Sequence, residues 1–336
     1  MNQLNQAWQW SETDSVLHCL PLHHVHGFVN ALLCPLSTGA DIHMLGGFRG
    51  PEDVLSKFES GDVNVFMAVP TIYTRIVKHL EENSLKLDLS GFRLLVSGSA
   101  ALPAPMFEKF ENLGGYRLLE RYGMTEINMA LSNPLEPEND RIPGFVGKEL
   151  PGVTVRLVDD DENVLYETGR PIQDSGKSNI SGKMYVKSPA LFKEYINKPE
   201  ATSETFTDDN WFKTGDMAEF NLKHQSFKIL GRESTDIIKS GGYKISALEI
   251  EEKILEKNGD RFVEIAVIGS DCEDLGEIIV AVVVVDGSVG NCVVELDFGN
   301  LVKYQRPHVV HVMVDKLPRN VMGKVNKKEL KMGLKF

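Results

Sequence analysis

The stretch from Val63 to Glu126 constrains the fold most. Three strand candidates, Val63–Val69, Arg93–Ser97 and Tyr116–Glu120, alternate with two helix candidates, Pro70–Glu82 and Pro103–Leu113. Pro70 suits a first helical turn, where its missing N–H is not needed. Gly114-Gly115 stops the second helix. Strand, glycine-bearing loop, helix, strand is the pattern of a parallel sheet with crossover helices, so the chain reads as α/β. Ligands of such sheets gather at the carboxyl ends of the strands. Gly98-Ser99 and Tyr122-Gly123 both fall at such ends.

The pattern changes after Gly144. Short strand candidates at Val153–Asp159, Lys183–Lys187 and Phe227–Leu230 are separated by Gly, Pro and Asp turns, which predicts a β-rich subdomain over about 144–231. Tyr166–Ser181 is polar, with glycine and proline, and reads as a mobile loop. The last hundred residues form a small α+β unit. Ser246-Ala-Leu-Glu249 is a capping box ahead of Ile250, Ile254 and Leu255, and Asn258-Gly259 ends that helix. Strands are expected at Glu264–Ile268, Ile278–Val285 and Val309–Val314. The boundary falls near Gly231–Thr235, giving domains over 1–231 and 232–336.

Composition narrows the partners. A net charge of −12 across 336 residues disfavours a nucleic-acid backbone as ligand. Cys19, Cys34, Cys272 and Cys292 include no Cys-x-x-Cys pair and read as buried apolar thiols in a reducing compartment. The longest apolar run, Ile278–Val285, has eight residues, against the roughly 20 that span a bilayer. It reads as a buried strand, and no transmembrane or targeting segment is evident.

Several clusters could carry chemistry. His18, His23, His24 and His26 lack zinc-site spacing, so pocket lining by one or two of them competes with a plain surface or core role. Gly176-Lys177-Ser178 fails as a phosphate loop because Pro171 stands where a glycine is needed. Arg121-Tyr122-Gly123-Met124-Thr125-Glu126 places a cation, an aromatic face, a free backbone, a hydroxyl and a carboxylate at a strand end. That set could stack a purine, bond a phosphate and hold a metal ion. Asp216 follows a glycine turn and could accept two vicinal hydroxyls, or simply cap the turn. Arg319–Lys324 is a glycine turn carrying a lysine.

In order along the chain, six segments resemble the adenylate-forming superfamily of acyl-CoA synthetases, luciferases and adenylation domains. Pro21-Leu-His-His-Val-His-Gly27 looks like its acyl-pocket motif, and Val96-Ser-Gly-Ser-Ala-Ala101 like its adenine loop. Tyr122-Gly-Met-Thr-Glu126 resembles the Tyr-Gly-x-Thr-Glu motif, and Trp211-Phe-Lys-Thr-Gly-Asp216 the ribose motif. Gly231 through Glu249 looks like the hinge and the start of the mobile C-terminal domain, and Pro318–Lys324 like the catalytic-lysine loop. The malonyl-CoA synthetase branch is the nearest likeness.

The resemblance implies a fold and a set of roles. The fold would be the portion of a large mixed α/β N-terminal domain that includes the β-rich subdomain, followed by the small mobile domain. Gly98, Ser99 and Ala100 would line the adenine, Tyr122 would stack on it and Gly123 would pass close by. Thr125 would bond a phosphate, Glu126 would hold Mg²⁺, and Asp216 and Arg232 would hold the ribose. Lys324 would be catalytic and Ser234 the hinge, while Lys239, Gly241 and Gly242 would border the CoA tunnel. Arg121 would pair with the second carboxylate of a short diacid, with His24, His26 and Met129 as neighbours; the bland alternative pairs Arg121 with Glu120 or another acid.

The implied reaction is ATP-dependent ligation of malonate or methylmalonate to CoA, with AMP and pyrophosphate released. Another short- or medium-chain synthetase, a carrier-loading adenylation module and a non-catalytic nucleotide- or protein-binding fragment are the alternatives. The family's glycine-, serine- and threonine-rich phosphate loop should lie upstream of Pro21 and is not found there, so the sequence looks like the C-terminal portion of a longer synthetase that would be inactive alone, with any mitochondrial address in the preceding part.

Overall fold

The computed structural model describes residues 1–171, 178–258, 262, 264–285, 296–313, 316–319 and 324–334. Expectations on Gly176, Lys177, Gly259, Cys292, Val314 and 320–323 lie outside the described residues. The chain forms two compact units: Met1–Thr214 with Glu219–Ile229, and Gly215–Ala218 with Leu230–Phe336.

The first unit begins with α1 (Asn2–Trp8), β1 (Ser15–His18), a π-helical segment (His26–Leu33), α2 (Cys34–Thr38) and β2 (Asp41–Met44). It continues through α3 (Pro51–Glu59), β3 (Val65–Ala68), α4 (Pro70–Glu82), β4 (Leu94–Ser97), α5 (Ala104–Gly114), β5 (Leu119–Met124), β6 (Asn128–Ser132) and β7 (Lys148–Glu149). These strands make one sheet in the order β2-β1-β3-β4-β5-β6-β7. The first five are parallel, and β6 and β7 are antiparallel to their neighbours. Every residue of β3 and β4 is buried, as expected of a parallel strand covered on both faces. Tyr73 of α4 is fully buried and donates from Oη to Val96 O at 3.0 Å, and its ring meets Phe66 and Phe110 edge-on. Burying each such side chain contributes about 1.5–3 kcal/mol.

The third strand departs from expectation. It begins at Leu119, not Tyr116, and runs on through Tyr122-Gly123 to Met124. Tyr116 instead lies beside β4, donating to Arg93 O at 3.1 Å and accepting from Leu95 N at 3.2 Å. The parallel ladder with β4 involves only Leu119 and Glu120; pairing with β6 carries the strand further. The Tyr-Gly pair therefore sits on extended backbone beyond the parallel ladder.

A second sheet has the order β10-β9-β8-β11-β12-β13, built from β8 (Thr154–Val158), β9 (Val164–Glu167), β10 (Arg170–Pro171), β11 (Asn179–Lys187), β12 (Phe212–Asn221) and β13 (Ser226–Arg232). A short helix, α6 (Pro199–Glu204), precedes β12. The expected loop at Tyr166–Ser181 is corrected at both ends, which pair in this sheet as parts of β9, β10 and β11. Strand β12 escaped the sequence reading because Lys213, Asp216 and Glu219 interrupt its apolar run.

The second unit contains β14 (Ile237–Ser240), β15 (Tyr243–Ser246), α7 (Ala247–Asn258), β16 (Glu264–Cys272), β17 (Gly276–Val284), β18 (Val309–Met313) and α8 (Lys327–Gly333). Alternation along β16 and β17 splits its core in two. Ile265, Val267, Ile279, Ala281 and Val283 pack with Ile250 and Ile254 of α7. Ala266, Ile268, Val280, Val282 and Val284 face Leu317 and Leu330 of α8. The continuous apolar run read from the sequence is thus a strand buried on both faces. Ser246 Oγ accepts from Glu249 N at 3.1 Å, so the hydroxyl caps α7 at the position the sequence marked.

Cys19 and Cys34 are buried, and burial pushes their thiols up to about 12 and about 11. Cys272 corrects the reading of buried cysteines, because it is only half-buried at the end of β16. Among the described residues no helix is long and apolar enough to cross a membrane.

Candidate active site

In the first unit the C-terminal ends of β4 and β5 and the π-helical segment converge on one buried polar group. Arg121, in β5, is only 3% exposed. Its Nη2 donates to Ser99 Oγ at 3.3 Å, while its Nε is buried with no partner. No carboxylate pairs with it among the described residues, and desolvation alone pulls its pKa down to about 9. The bland expectation for this residue is therefore overturned. Glu120 is turned elsewhere, accepting from Gly144 N at 3.0 Å.

Ser99 links Arg121 to His26. Its Oγ is 3.3 Å from His26 Nδ1, and its backbone holds φ 73°, an unusual conformation for serine. His26 is 5% exposed, and its Nε2 is buried without a partner. Burial first, then the nearby Arg121 and His18, hold its pKa well below the usual range, so the ring is neutral at pH 7. His18 Nε2 is 2.9 Å from Gly27 O, which ties the start of the π-helical segment to β1. The four histidines thus do not share one task, for the rings of His23 and His24 meet each other at 4.2 Å. His24 is half-buried.

Two glycines make room for this arrangement. A Cβ on Gly98 would lie 2.5 Å from Arg121 Cζ, so the guanidinium packs directly on the bare backbone. A Cβ on Gly123 would lie 2.0 Å from Asn128 O and 2.7 Å from Met129 Cε. The register shift between Tyr122 and Gly123 marks the same close approach. Met129 is buried, Tyr122 and Gly123 are half-exposed, and Ala100 and Thr125 are open to solvent.

Glu126 is half-buried in the turn after β5. Its Oε1 accepts from Tyr195 Oη at 2.8 Å, and its backbone O accepts from Phe192 N at 2.7 Å. The sequence reading missed Tyr195, whose link to Glu126 spans 69 positions. It also missed that Ser99 touches both Arg121 and His26, a contact no local pattern announces.

In the second unit Asp216 is 8% exposed and pairs with Arg232, Nε to Oδ1 at 3.1 Å. Glu233 N donates to Gly215 O at 2.9 Å, closing the turn around this pair. Gly215, Arg232, Glu233, Ser234 and Lys239 line an open cavity of about 350 Å³. The Lys239 side chain is exposed, and its backbone N donates to Glu277 Oε2 at 2.8 Å. Gly241 and Gly242 form the exposed turn between β14 and β15. Lys324 is exposed just ahead of α8, next to Val325, which bridges to Arg319.

The sequence and fold are similar to those of known proteins. The human malonate–CoA ligase ACSF3, described as mitochondrial, is 44% identical over 97% of this chain and 60% of its own length. The malonate–CoA ligase of Arabidopsis thaliana is 40% identical over 99% of this chain and 56% of its own. ATP-bound MatB from Rhodopseudomonas palustris superposes with a TM-score of 0.82 at 35% identity, covering 99% of this chain and 62% of that one. The chain spans about six tenths of the length of the relatives it matches. A family model described as AMP-binding enzyme matches residues 1–196. On that match, and on the parallel sheet whose strand ends carry the converging polar groups, the chain belongs to the AMP-binding enzyme family.

Proposed function

We propose that this chain carries the acid-activating and thioester-forming chemistry of a malonate–CoA ligase. The buried guanidinium of Arg121, with no acid to balance it among the described residues, carries this reading. A buried charge is strongly disfavoured unless paired. A dicarboxylate bound at Ser99 and His26 would present one carboxylate to Arg121 and leave the other to react. The unpartnered Arg121 Nε and His26 Nε2 are the two buried groups that such a ligand would satisfy. Methylmalonate fits the same recognition, because its two carboxylates have the same spacing.

In the first step a malonate carboxylate oxygen attacks the α-phosphorus of ATP, and pyrophosphate leaves. Two anions must meet, and Lys324 would stabilise the charge that develops on the phosphorus oxygens. Gly98, Ser99, Ala100, Tyr122 and Gly123 would receive the adenine, with Tyr122 as the stacking face. Thr125 would bond a phosphate, and the Asp216–Arg232 pair would take the ribose hydroxyls. Glu126 fits a Mg²⁺ ion, since Tyr195 orients one of its oxygens and the other has no protein partner among the described residues. When bound, Mg²⁺ would screen the phosphate charge. In the second step the CoA thiol, losing its proton, attacks the acyl carbon and AMP leaves. Ser234 would be the hinge between the two steps, and Lys239, Gly241 and Gly242 would border the thiol's path. The human relative is described as mitochondrial, and the same compartment would suit this ligase.

The test is AMP and pyrophosphate formation by the 336-residue chain with Mg-ATP and malonate, with thioester appearing only when CoA is added. Arg121→Ala should lower kcat/KM for malonate by about 100-fold or more, because a site built around a polar partner loses most when that partner is removed. Acetate turnover should change by less than about threefold. Equal losses on both acids would sink the diacid assignment, and AMP binding without turnover would favour a non-catalytic role.

A further inference from the structure

We propose that Asp236 and Lys327 are positioning residues for Lys324, fixing the lysine-bearing segment and the Arg232 turn in one arrangement. The inference rests on reading Lys324 as the adenylation lysine.

Lys327 opens α8, three residues after Lys324, and its side chain is only 10% exposed. Its Nζ lies 2.8 Å from Asp236 Oδ1 and 2.8 Å from Glu251 Oε1. The other oxygen of Asp236 accepts from Arg232 N at 3.0 Å. The Asp236 backbone N donates to Arg232 O at 2.8 Å, and its O accepts from Ala247 N at 2.8 Å. One carboxylate therefore holds the turn that presents Arg232 and also the base of the helix behind Lys324. Glu251 Oε1 also accepts from Val267 N at 2.7 Å, which joins the cluster to β16.

Residues 317–319 are tied to the same unit. Glu264 accepts from Leu317 N at 3.1 Å and from Arg319 Nη2 at 2.9 Å. Asn326 N donates to Pro318 O at 2.7 Å, and Asn326 Oδ1 caps α8 by accepting from Glu329 N. Lys324 thus follows residues fixed through Glu264 and precedes a lysine fixed through Asp236 and Glu251.

A purely structural role for the triad is the competing explanation. Leu330 already packs α8 onto the sheet, and apolar contacts tolerate small rotations of a helix. Lys327 Nζ is held by charge between two carboxylates 2.8 Å away, and separating buried opposite charges is costly, so the triad restricts that freedom. A displacement of about 1 Å at a reacting group can cost about 100-fold in rate, and the triad sits where such a displacement would reach Lys324.

The experiment compares Asp236→Asn, Lys327→Arg and Lys324→Ala with the unmodified 336-residue chain. Two quantities are read: amide exchange, and ATP- and malonate-dependent pyrophosphate release. Asp236→Asn should speed exchange in peptides covering Lys316–Arg319 and Lys324–Leu330 by about tenfold or more, with peptides of β16 and β17 unchanged. It should lower kcat by about 10- to 100-fold and leave malonate KM within about twofold. Lys327→Arg should stay close to the unmodified chain in both. Unchanged exchange around Lys324, faster exchange throughout the unit, or a malonate KM that rises as kcat falls would each overturn the inference. If Lys324→Ala leaves pyrophosphate release unaltered, or no variant turns over, the catalytic reading fails separately. Exchange alone then decides whether the triad fixes this segment.

Discussion

Arg121 in the first unit and Lys327 in the second are both cations taken out of water, and their surroundings differ in kind. Lys327 has two carboxylates at 2.8 Å, and these acids raise its pKa despite the opposing effect of burial. Arg121 has a serine hydroxyl and a neutral histidine nearby, and burial pulls its pKa down to about 9. Both charges resist desolvation. In one case the chain itself supplies the compensation, through Asp236 and Glu251. In the other no carboxylate among the described residues supplies it, which is the condition expected of a site that takes an anion. Burial alone therefore does not distinguish a structural charge from a functional one; the count of opposite charges around it does.

The sharpest way to break this comparison is to remove each cation. Lys327→Met leaves Asp236 and Glu251 buried with no cation between them. Breaking a buried pair from one side costs about 3–5 kcal/mol, so chemical denaturation should show the second unit unfolding at much lower denaturant. If Lys327→Met unfolds with the unmodified chain, the triad contributes nothing. Arg121→Met should move the other way. It removes an unbalanced charge and keeps the volume apolar, so the first unit should gain on the order of 1–3 kcal/mol, read as a higher Tm, while malonate preference disappears. A lower Tm would mean that the chain itself already compensates Arg121.

How much of this was legible in the sequence follows from the range of each interaction. Crossover helices, the capping box at Ser246 and the doubly buried run at Ile278–Val285 are local patterns, and a period or a cap identifies them. Strand β12 was not legible, because its charged positions hide an alternation that only its neighbours in the sheet explain. Among site residues, Arg121 was singled out by its place before the Tyr-Gly motif, but its isolation from acids was not predictable. That isolation depends on Ser99, 22 positions away, and on Glu120 turning to Gly144 N. Gly98 shows the same limit: the sequence places it in an adenine-lining loop at a strand end, and only the fold shows a guanidinium lying on its backbone. Lys327 looks like one of several basic residues near the C-terminus, and only the fold places it between two acids 76 and 91 positions upstream (327 − 251 and 327 − 236).

The smallest expected effect is also the most discriminating, because the two cations predict opposite signs as pH rises. Arg121 has a folded-state pKa of about 9, below its ordinary value. Below about pH 9 it is charged in both folded and unfolded chains, and the full cost of burial weakens the fold. Above that pH the folded form loses its proton first, so the cost shrinks and the fold gains stability. Lys327 has a folded-state pKa above its ordinary 10.5. Its contribution is complete below that value and declines as pH rises through the folded pKa. The Tm advantage of Arg121→Met over the unmodified chain should therefore be constant from about pH 7 to 9 and narrow above, whereas the deficit of Lys327→Met should hold past that range. Saturating malonate should remove the narrowing, because a carboxylate beside Arg121 keeps the guanidinium charged and its burial balanced. A narrowing that persists unchanged in malonate would separate the buried charge from the acid-binding site and leave the diacid reading without its main support.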